Sequence, residues 1–367
     1  MKIAILHDYL NQFGGAERVL KIITEIFPDA DIFTLLYNKE RTSYLFEGKN
    51  IKTSFLNSSF IQKHHRFFIP LMPVACHFLK STQNYDLIIS STAGYSKGFN
   101  ILGKYHISYC HSPLRYAWEI DYLKNLYAAP NLFSNLIGYK IAKLLKKWDR
   151  EQSKKVNIFI ANSNFTAQRI KSYYQKNSVV INPPVNTRVF YYQPQKNKEI
   201  YYLMVGRLLY YKNFDLGIKA FLHLPYKLKI VGRGPEEKKL KKLAQDAKNI
   251  EFISNASDTE LRRLYNGAQA LIFPQIEDFG LVAAEAQSCG TPVIAYAKGG
   301  INDIVIPQKT GLFFFEQTAE AIIKAVKDFE KINWSRQFIA KYAHQKFSQA
   351  KFIKEFLKVI KNCGIAL

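Results

Sequence analysis

The feature that most constrains the fold of this 367-residue chain is an alternation of short apolar runs with amphipathic stretches, which occurs in two successive series. The first series contains runs rich in β-branched residues, at 2–6, 32–36, 86–90, 107–110 and 158–161. A stretch with helical spacing, at 16–27, separates the first two runs. Strands that alternate with helices predict an α/β fold with a parallel, doubly wound sheet.

A second series of the same kind starts beyond the polar stretch 193–198. Its predicted strands lie at 200–205, 228–231, 250–253, 270–273 and 292–295, with helices at 235–246 and 283–289. Because a single core rarely grows past roughly 250–300 residues, we predict two Rossmann-like domains. They cover residues 1–190 and 191–344, and a C-terminal helix at about 345–367 is expected to pack back on the first domain. Ligand-binding residues should follow directly after the strands.

The chain carries 52 Lys and Arg against 29 Asp and Glu, a formal net charge of +23. Most of these cations are lysines, whereas proteins that bind nucleic acids favour the planar fork of arginine. The charge therefore argues against a nucleic-acid partner. It leaves two interpretations open, a solvated surface or attraction to an anionic membrane or substrate. A hydrophobic content of 48% excludes a disordered basic tail.

The four cysteines include no C-x-x-C pair, which favours a reducing compartment. No apolar run reaches the roughly 18 residues of a membrane-spanning helix, and the apolar run at 1–10 is too short for a signal sequence. We therefore expect a cytoplasmic protein that contacts a membrane without crossing it.

Gly14 and Gly15 lie between the first predicted strand and the first helix. Paired glycines let a ligand approach the backbone, and a helix N-terminus adds amide donors and partial positive charge, so the loop suits an anion. The alternative is an ordinary strand-to-helix turn, since the loop is neither a G-x-G-x-x-G nor a Walker motif.

Arg207 and Lys212 occupy the loop after the first strand of the second predicted domain. Two cations there can hold a diphosphate, and they can stabilise the negative charge that develops when a diphosphate leaves. Ordinary surface cations are the alternative.

The most informative segment is 275–286. It holds two carboxylates eight positions apart, Glu277 and Glu285, on either side of a predicted glycine turn into a helix at 279–282. Amides and carboxylates in this arrangement can bind a phosphate, a sugar hydroxyl and a ribose diol. Two surface glutamates beside a helix start would give the same pattern.

Taken together, these motifs resemble glycosyltransferase family 4, whose members are retaining nucleotide-sugar transferases. The resemblance rests on Gly14-Gly15, on 207–212 and on the run E-D-F-G-L-V-A-A-E from Glu277 to Glu285, with support at 182–185, 290–293, 299–300 and 310–313. It extends over nearly the whole chain. It implies the GT-B fold, two Rossmann-like domains that face each other across a deep cleft, and hexose transfer that needs no metal.

The resemblance also implies roles for the matching residues. Arg207 and Lys212 would bind the donor diphosphate, Glu285 the ribose hydroxyls, and Glu277 the transferred sugar. The implied catalytic set is His111, Glu277, Arg207 and Lys212, with His111 beside the donor sugar. The other donor-binding positions are Gly14, Gly15, Phe279, Gly280, Leu281 and Val282. Glu17 and Arg18 are expected to face the acceptor.

Residues 109–119 resemble a segment of the O-antigen mannosyltransferase branch of that family, which uses GDP-mannose. That resemblance favours GDP-mannose as donor and a lipid-linked or lipopolysaccharide-type glycan as acceptor. A UDP-hexose or another GDP-sugar remains open as donor. Two other functions stay as alternatives, a non-catalytic basic nucleic-acid-binding protein and a GT-B epimerase that acts on a UDP-sugar.

The segment 48–85 contains cations but no acidic residue, interleaved with apolar side chains, among them Phe55, Phe60, Phe67, Phe68, Ile69 and Phe78. Cations among exposed aromatics suit an anionic lipid surface, so we expect a peripheral protein on the inner face of the cytoplasmic membrane.

The sequence Asp29-Ala30-Asp31 matches D-x-D, a metal-binding signature of the other glycosyltransferase fold. Because it precedes the second strand, we interpret it as a loop.

Overall fold

The computed structural model describes residues 1–119, 132–194, 199–245 and 247–365, with the backbone only for 132–137. The chain divides into two compact units. One comprises Met1–Asn182 together with the segment from Ile353 onward, and the other comprises Pro183–Phe352. Part of the polar stretch at 193–198 falls outside the described residues.

A seven-stranded parallel sheet forms the centre of the first unit, in the order β3-β2-β1-β4-β5-β6-β7. Its strands are β1 Ile3–Leu10, β2 Asp31–Tyr37, β3 Ile51–Thr53, β4 Tyr85–Thr92, β5 Gly103–Cys110, β6 Ile158–Ala161 and β7 Ser178–Val180. All five predicted strands are present, while β3 and β7 were not predicted. The strand order reverses between β1 and β4, and such a switch point opens a crevice at the carboxyl ends of both strands.

The helices of the first unit are Gly15–Ile26, Lys39–Thr42, Ser59–His64, Met72–Phe78, Arg115–Trp118, Leu132–Lys154 and Asn164–Tyr174. Short 3-10 turns lie at Ser43–Leu45, His65–Leu71 and Ser96–Gly98. The first helix is amphipathic, with buried Val19, Leu20 and Ile23 on one side. It begins within a residue of its predicted start. The Glu17 carboxylate accepts a hydrogen bond from the Gly14 amide at 2.7 Å and so caps the helix start.

The second unit is built on a six-stranded parallel sheet in the order β10-β9-β8-β11-β12-β13. Its strands are β8 Tyr201–Val205, β9 Lys227–Val231, β10 Ile250–Ile253, β11 Leu271–Phe273, β12 Val293–Tyr296 and β13 Gly311–Phe314. Here too the five predicted strands are present, and β13 is additional. The switch point of this sheet lies between β8 and β11, so both units have the Rossmann strand order.

The helices of the second unit are Phe214–Phe221, Glu237–Leu243, Asp258–Gly267, Leu281–Ser288, Ala319–Phe329 and Arg336–Phe347, with 3-10 turns at Tyr210–Lys212 and Gly300–Asp303. The last helix, Gln349–Asn362, includes residues of both units. Successive side chains of β8 enter different cores, since Leu203 packs in one apolar cluster whereas Tyr202 and Met204 pack in the other. A strand that is buried on both faces has a nearly continuous apolar sequence, so β8 could be recognised from the sequence alone.

Two buried polar side chains of the first unit, Asp8 and His106, have hydrogen-bond partners on or directly after the neighbouring strand β4. The Asp8 carboxylate accepts three backbone amides after β4, those of Ala93, Tyr95 and Ser96. Burial lowers the pKa of His106 to about 3, so this histidine is neutral at physiological pH, and its Nε2 lies 2.9 Å from the Ser90 hydroxyl. These hydrogen bonds tie together the central strands β1, β4 and β5 of the sheet.

Candidate functional site

In the second unit, two predicted site residues meet at the switch point of the sheet. Lys212 lies in the loop after β8 and Glu277 in the loop after β11, and the lysine Nζ is 2.7 Å from Glu277 Oε1. The Lys212 side chain is 13% exposed and that of Glu277 is 20% exposed, so the pair is largely buried but still in contact with solvent. Gln275 Nε2 donates a further hydrogen bond to Glu277 Oε1 at 3.2 Å. The pair thus places a cation and a carboxylate where an open α/β sheet binds its ligands.

Close backbone packing explains the glycines around this pair. A Cβ added to Gly206 would lie 3.2 Å from the Lys212 ammonium, and Gly206 has φ of +151°, which favours glycine. On the other side, the Gly300 amide donates to the Glu277 carbonyl at 2.8 Å. A Cβ on Gly300 would come within 2.2 Å of the Asp278 carbonyl oxygen. The loops after β8, β11 and β12 are therefore fixed against one another.

The helix Leu281–Ser288 begins directly beyond Glu277 and is capped by Gly280, which adopts φ of +103°. Its first turn contains no acidic side chain. The first backbone amides of any α-helix lack intrahelical acceptors and carry partial positive charge. The predicted positions Leu281 and Val282 are half-buried at this terminus, and Phe279 is buried behind it. This terminus suits a phosphate or another anion.

Glu285 points into the second unit and is only 6% exposed. Its carboxylate accepts a hydrogen bond from the Tyr265 hydroxyl at 3.3 Å. Burial, together with the nearby Glu285 charge, raises the pKa of the Cys289 thiol. Arg207, in contrast, is exposed in the loop after β8. The ribose role of Glu285 and the diphosphate role of Arg207 stay predictions.

The first unit holds a second polar cluster, also at its switch point. His7 of β1 is paired in register with Ser91 of β4. His7 Nδ1 lies 3.0 Å from the Ser91 carbonyl oxygen and 3.2 Å from its hydroxyl, while His7 Nε2 lies 3.5 Å from Glu17 Oε1. The Ser91 hydroxyl in turn lies 2.8 Å from Nε2 of His111. Glu17, His7, Ser91 and His111 form a continuous chain of side chains, which we call the Glu17–His111 chain.

His111 is fixed by its backbone as well as by its ring. Its amide donates to the Thr92 carbonyl at 2.7 Å, and its carbonyl accepts from Asn162 Nδ2 at 2.9 Å. Its ring packs against the buried ring of Tyr109, with the ring centres 5.0 Å apart. Of the other predicted residues in this unit, Gly14 and Arg18 are half-buried and Gly15 is exposed at the helix start.

Sequence reasoning missed His7 and Ser91. Both lie inside strands, where a histidine or serine is ordinarily a satisfied core residue, so the sequence contains no spacing that singles them out. Parallel pairing of β1 with β4 was the information needed, because it places His7 opposite Ser91.

Asp31 of the D-x-D sequence and Trp118 of the segment 109–119 both form hydrogen bonds within the first unit. Asp31 begins β2, at the amino end of the strand, and accepts hydrogen bonds from the Tyr85 hydroxyl at 2.6 Å and from Asn50 Nδ2 at 2.9 Å. Within the segment 109–119, the Trp118 indole donates to the buried Asp149 at 2.7 Å. Among the described residues, no group of three or more His, Cys, Asp or Glu side chains is placed to hold a metal ion.

Comparison with protein families shows what the second unit resembles. Residues 190–346 match the family described as glycosyl transferases group 1. An uncharacterized glycosyltransferase of Methanocaldococcus jannaschii is 29% identical over 172 residues, which cover 43% of this chain and 44% of that protein. The chain thus matches less than half the length of this relative.

Solved structures resemble the chain over nearly all of its length. Sucrose-phosphate synthase from Thermosynechococcus elongatus has a TM-score of 0.73 at 17% identity, over 99% of each chain. HepE of Anabaena, in complex with UDP and glucose, has a TM-score of 0.70 at 17% identity, over 98% of this chain and 99% of that one. At such low identity these likenesses establish the fold, which is GT-B as predicted.

Proposed function

We propose that this protein is a glycosyltransferase that transfers a hexose from a nucleotide-sugar donor. The observation that carries the proposal is the Lys212–Glu277 pair at the switch point of the second unit, beside the N-terminus of the helix Leu281–Ser288. The family match at 190–346 covers the same residues. A cation and helix amides suit a diphosphate, and a carboxylate accepts hydrogen bonds from sugar hydroxyls.

The chemistry that these groups support is departure of the nucleoside diphosphate from the sugar. The bond between the anomeric carbon and the phosphate oxygen breaks, a bond to the acceptor oxygen forms, and the acceptor proton passes to the departing phosphate. Lys212 and Arg207 would stabilise the charge that develops on that phosphate. Retention of the anomeric configuration and independence of metal are part of the proposal and follow from the resemblance to glycosyltransferase family 4.

For the donor we favour GDP-mannose, because residues 109–119 resemble the mannosyltransferase branch. A UDP-sugar is the alternative, and the UDP and glucose bound by HepE of Anabaena support it. Thermal unfolding in the presence of GDP, UDP, GDP-mannose and common UDP-sugars separates the two. A nucleotide at a hundred times its Kd should stabilise the fold by about 2.7 kcal/mol.

We expect GDP and GDP-mannose to raise the unfolding temperature and expect Arg207→Ala to reduce that rise. Lys324→Ala, an exposed lysine of the helix Ala319–Phe329, is the matched control and should leave the rise intact. Stabilisation by UDP but not GDP would overturn the donor assignment. If no nucleotide stabilises the protein, the glycosyltransferase proposal itself fails. Turnover of a UDP-sugar without an acceptor would favour an epimerase.

For the acceptor we propose a lipid-linked or lipopolysaccharide-precursor glycan at the cytoplasmic face of a membrane. In the described ranges of the chain, no helix is both long and apolar enough to span a bilayer. The first unit instead exposes an apolar surface made of Phe55, Phe60, Phe67, Leu71, Val74 and Phe78. Ile69, which we expected on this surface, is buried in the core at 1% exposure.

Cations border this surface. Lys63 and Lys80 are exposed, and the whole segment 48–85 lacks acidic residues. A cleft of about 190 Å³ opens beside it, lined by Pro70, Pro73, Ile141, Leu144, Leu145 and Trp148. Leu144 is 70% exposed at the cleft. Exposed aromatics with flanking cations fit the headgroup region of an anionic bilayer.

We expect the protein to sediment with anionic liposomes at low salt and the double variant Phe60→Ser/Phe67→Ser to bind at least about tenfold more weakly. Burial of a phenylalanine ring contributes about 1.5–3 kcal/mol, and 1.4 kcal/mol corresponds to tenfold. Phe315→Ser is the matched control, because Phe315 is 77% exposed but lies in the second unit. Equal binding by both variants would contradict a membrane role for this surface.

A further inference from the structure

The Glu17–His111 chain is a polar path in which each side chain contacts the next, from Glu17 through His7 and Ser91 to His111. Glu17 is 6% exposed, His7 2% and Ser91 0%. A protein seldom buries two ionisable side chains and a hydroxyl in line unless their hydrogen bonds are satisfied, since an unsatisfied buried polar group costs about 1–3 kcal/mol. The chain must therefore have a consistent arrangement of protons.

The Ser91 carbonyl oxygen determines that arrangement. A carbonyl oxygen can only accept, and this one lies 3.0 Å from His7 Nδ1 and also accepts from the Ser96 hydroxyl at 3.2 Å. His7 Nδ1 therefore carries a proton. The Ser91 hydroxyl oxygen, 3.2 Å from the same nitrogen, faces that N–H as a second acceptor. Its own proton is then left for His111 Nε2 at 2.8 Å.

Glu17 completes the arrangement at the other end. His7 Nε2 lies 3.5 Å from Glu17 Oε1. Without a proton between these two atoms their lone pairs would repel each other, so we place a proton there. The carboxylate is itself anchored by the Gly14 amide. Asp8, the next residue of β1, does not compete, because neighbouring strand residues point to opposite faces and its carboxylate binds the amides after β4.

We propose that Glu17, His7 and Ser91 are positioning residues that hold His111 in one tautomer, with Nε2 as acceptor and the proton on Nδ1. The basic nitrogen of His111 is then occupied by the Ser91 hydroxyl. In this tautomer Nε2 of His111 does not serve as a general base in the transfer. This role in transfer rests on the proposed function, whereas the tautomer is a property of the protein alone.

The tautomer is measured directly by NMR of protein labelled with ¹⁵N in its eight histidines, at pH 8, where an ordinary histidine is neutral. His111→Gln identifies the His111 signals. We expect the shift of a protonated Nδ1 and an unprotonated Nε2 for His111, and a mixture of tautomers in Ser91→Ala. A protonated Nε2 in the wild-type protein, or no change in Ser91→Ala, would overturn the proposal. The NMR experiment tests the tautomer of His111 even if the protein shows no glycosyl transfer.

Two replacements of His7 provide a matched pair. The amide nitrogen of an asparagine takes the position of Nδ1, so His7→Asn keeps the donor to Ser91. His7→Gln instead reaches the position of Nε2 and keeps only the contact to Glu17. We expect His7→Asn to retain the His111 tautomer and a kcat about tenfold above that of His7→Gln, with KM for the donor alike in both. Asparagine is one methylene shorter than glutamine and leaves the larger cavity, so a purely structural role predicts a loss in His7→Asn at least as large as in His7→Gln, with unchanged His111 signals in both.

Discussion

Asp149→Asn should lower the free energy of unfolding of the first unit by about 3–5 kcal/mol. Asp149 and Lys97 form an ion pair whose side chains are 0% and 1% exposed. The carboxylate also accepts from Trp118 Nε1 and from the Tyr174 hydroxyl, each at 2.7 Å. An asparagine presents one acceptor and adds a donor among three donors, so the Lys97 charge is left buried and uncompensated.

Urea unfolding followed by tryptophan fluorescence measures this loss. Trp118 and Trp148 lie in the first unit, and a Trp334→Phe background removes the tryptophan of the second unit. Glu151→Gln is the control on the same helix, because its pair with Lys154 is exposed and such pairs contribute about 0–1 kcal/mol. A loss of stability in Asp149→Asn no larger than in Glu151→Gln would show that the buried pair does not stabilise this unit.

Most strands of the sheets could be predicted from the sequence, whereas the buried Lys97–Asp149 pair could not. The predicted strands were recognisable as short apolar runs, and β8 buries apolar side chains on both faces, as the alternating environments of Tyr202 and Leu203 illustrate. β3 and β7 are the two edge strands of their sheet, contain polar residues and have no fully buried position, so they form no distinct apolar run, unlike the equally short but buried β11. Lys97 and Asp149 are 52 positions apart, and no local pattern distinguishes a buried charge from a solvated one.

In the candidate site, the individual residues could be predicted from the sequence but the contacts between them could not. Glu277 and Lys212 were predictable as separate residues, from a glycine turn and from a cation after a strand. Their contact was not, because it depends on the adjacency of β8 and β11, which are 66 or more positions apart in the chain. The Glu17–His111 chain depends in turn on the register of β1 against β4. Motifs reveal which residue types are present, whereas strand order decides which of them meet.

Lys212→Met should lower kcat by about 10²–10³, the usual effect of removing one preorganised group that stabilises charge in the transition state. Lys212 contacts Glu277 at 2.7 Å, and Gly206 leaves room for its ammonium group, because a Cβ there would lie 3.2 Å from Nζ. The measurement is the initial rate of sugar transfer with the donor identified by thermal unfolding. Lys324→Met, on an exposed helix face of the same unit, controls for loss of a lysine and should leave kcat unchanged.

The Lys212–Glu277 pair also predicts that a second substitution, at Glu277, restores part of the nucleotide affinity lost in Lys212→Met. Two unrelated surface residues would not show this effect. In Lys212→Met the Glu277 carboxylate keeps its charge but loses its cation, so it repels an incoming diphosphate and raises the Kd of the nucleotide. Glu277→Gln in the same protein removes that repulsion while keeping a side chain that can bond Gln275. We therefore expect the double variant to bind nucleotide about fivefold or more tightly than Lys212→Met, a coupling within the range for residues in contact. Titration calorimetry decides it, since independent roles for the two residues would make the double variant bind no better than Lys212→Met.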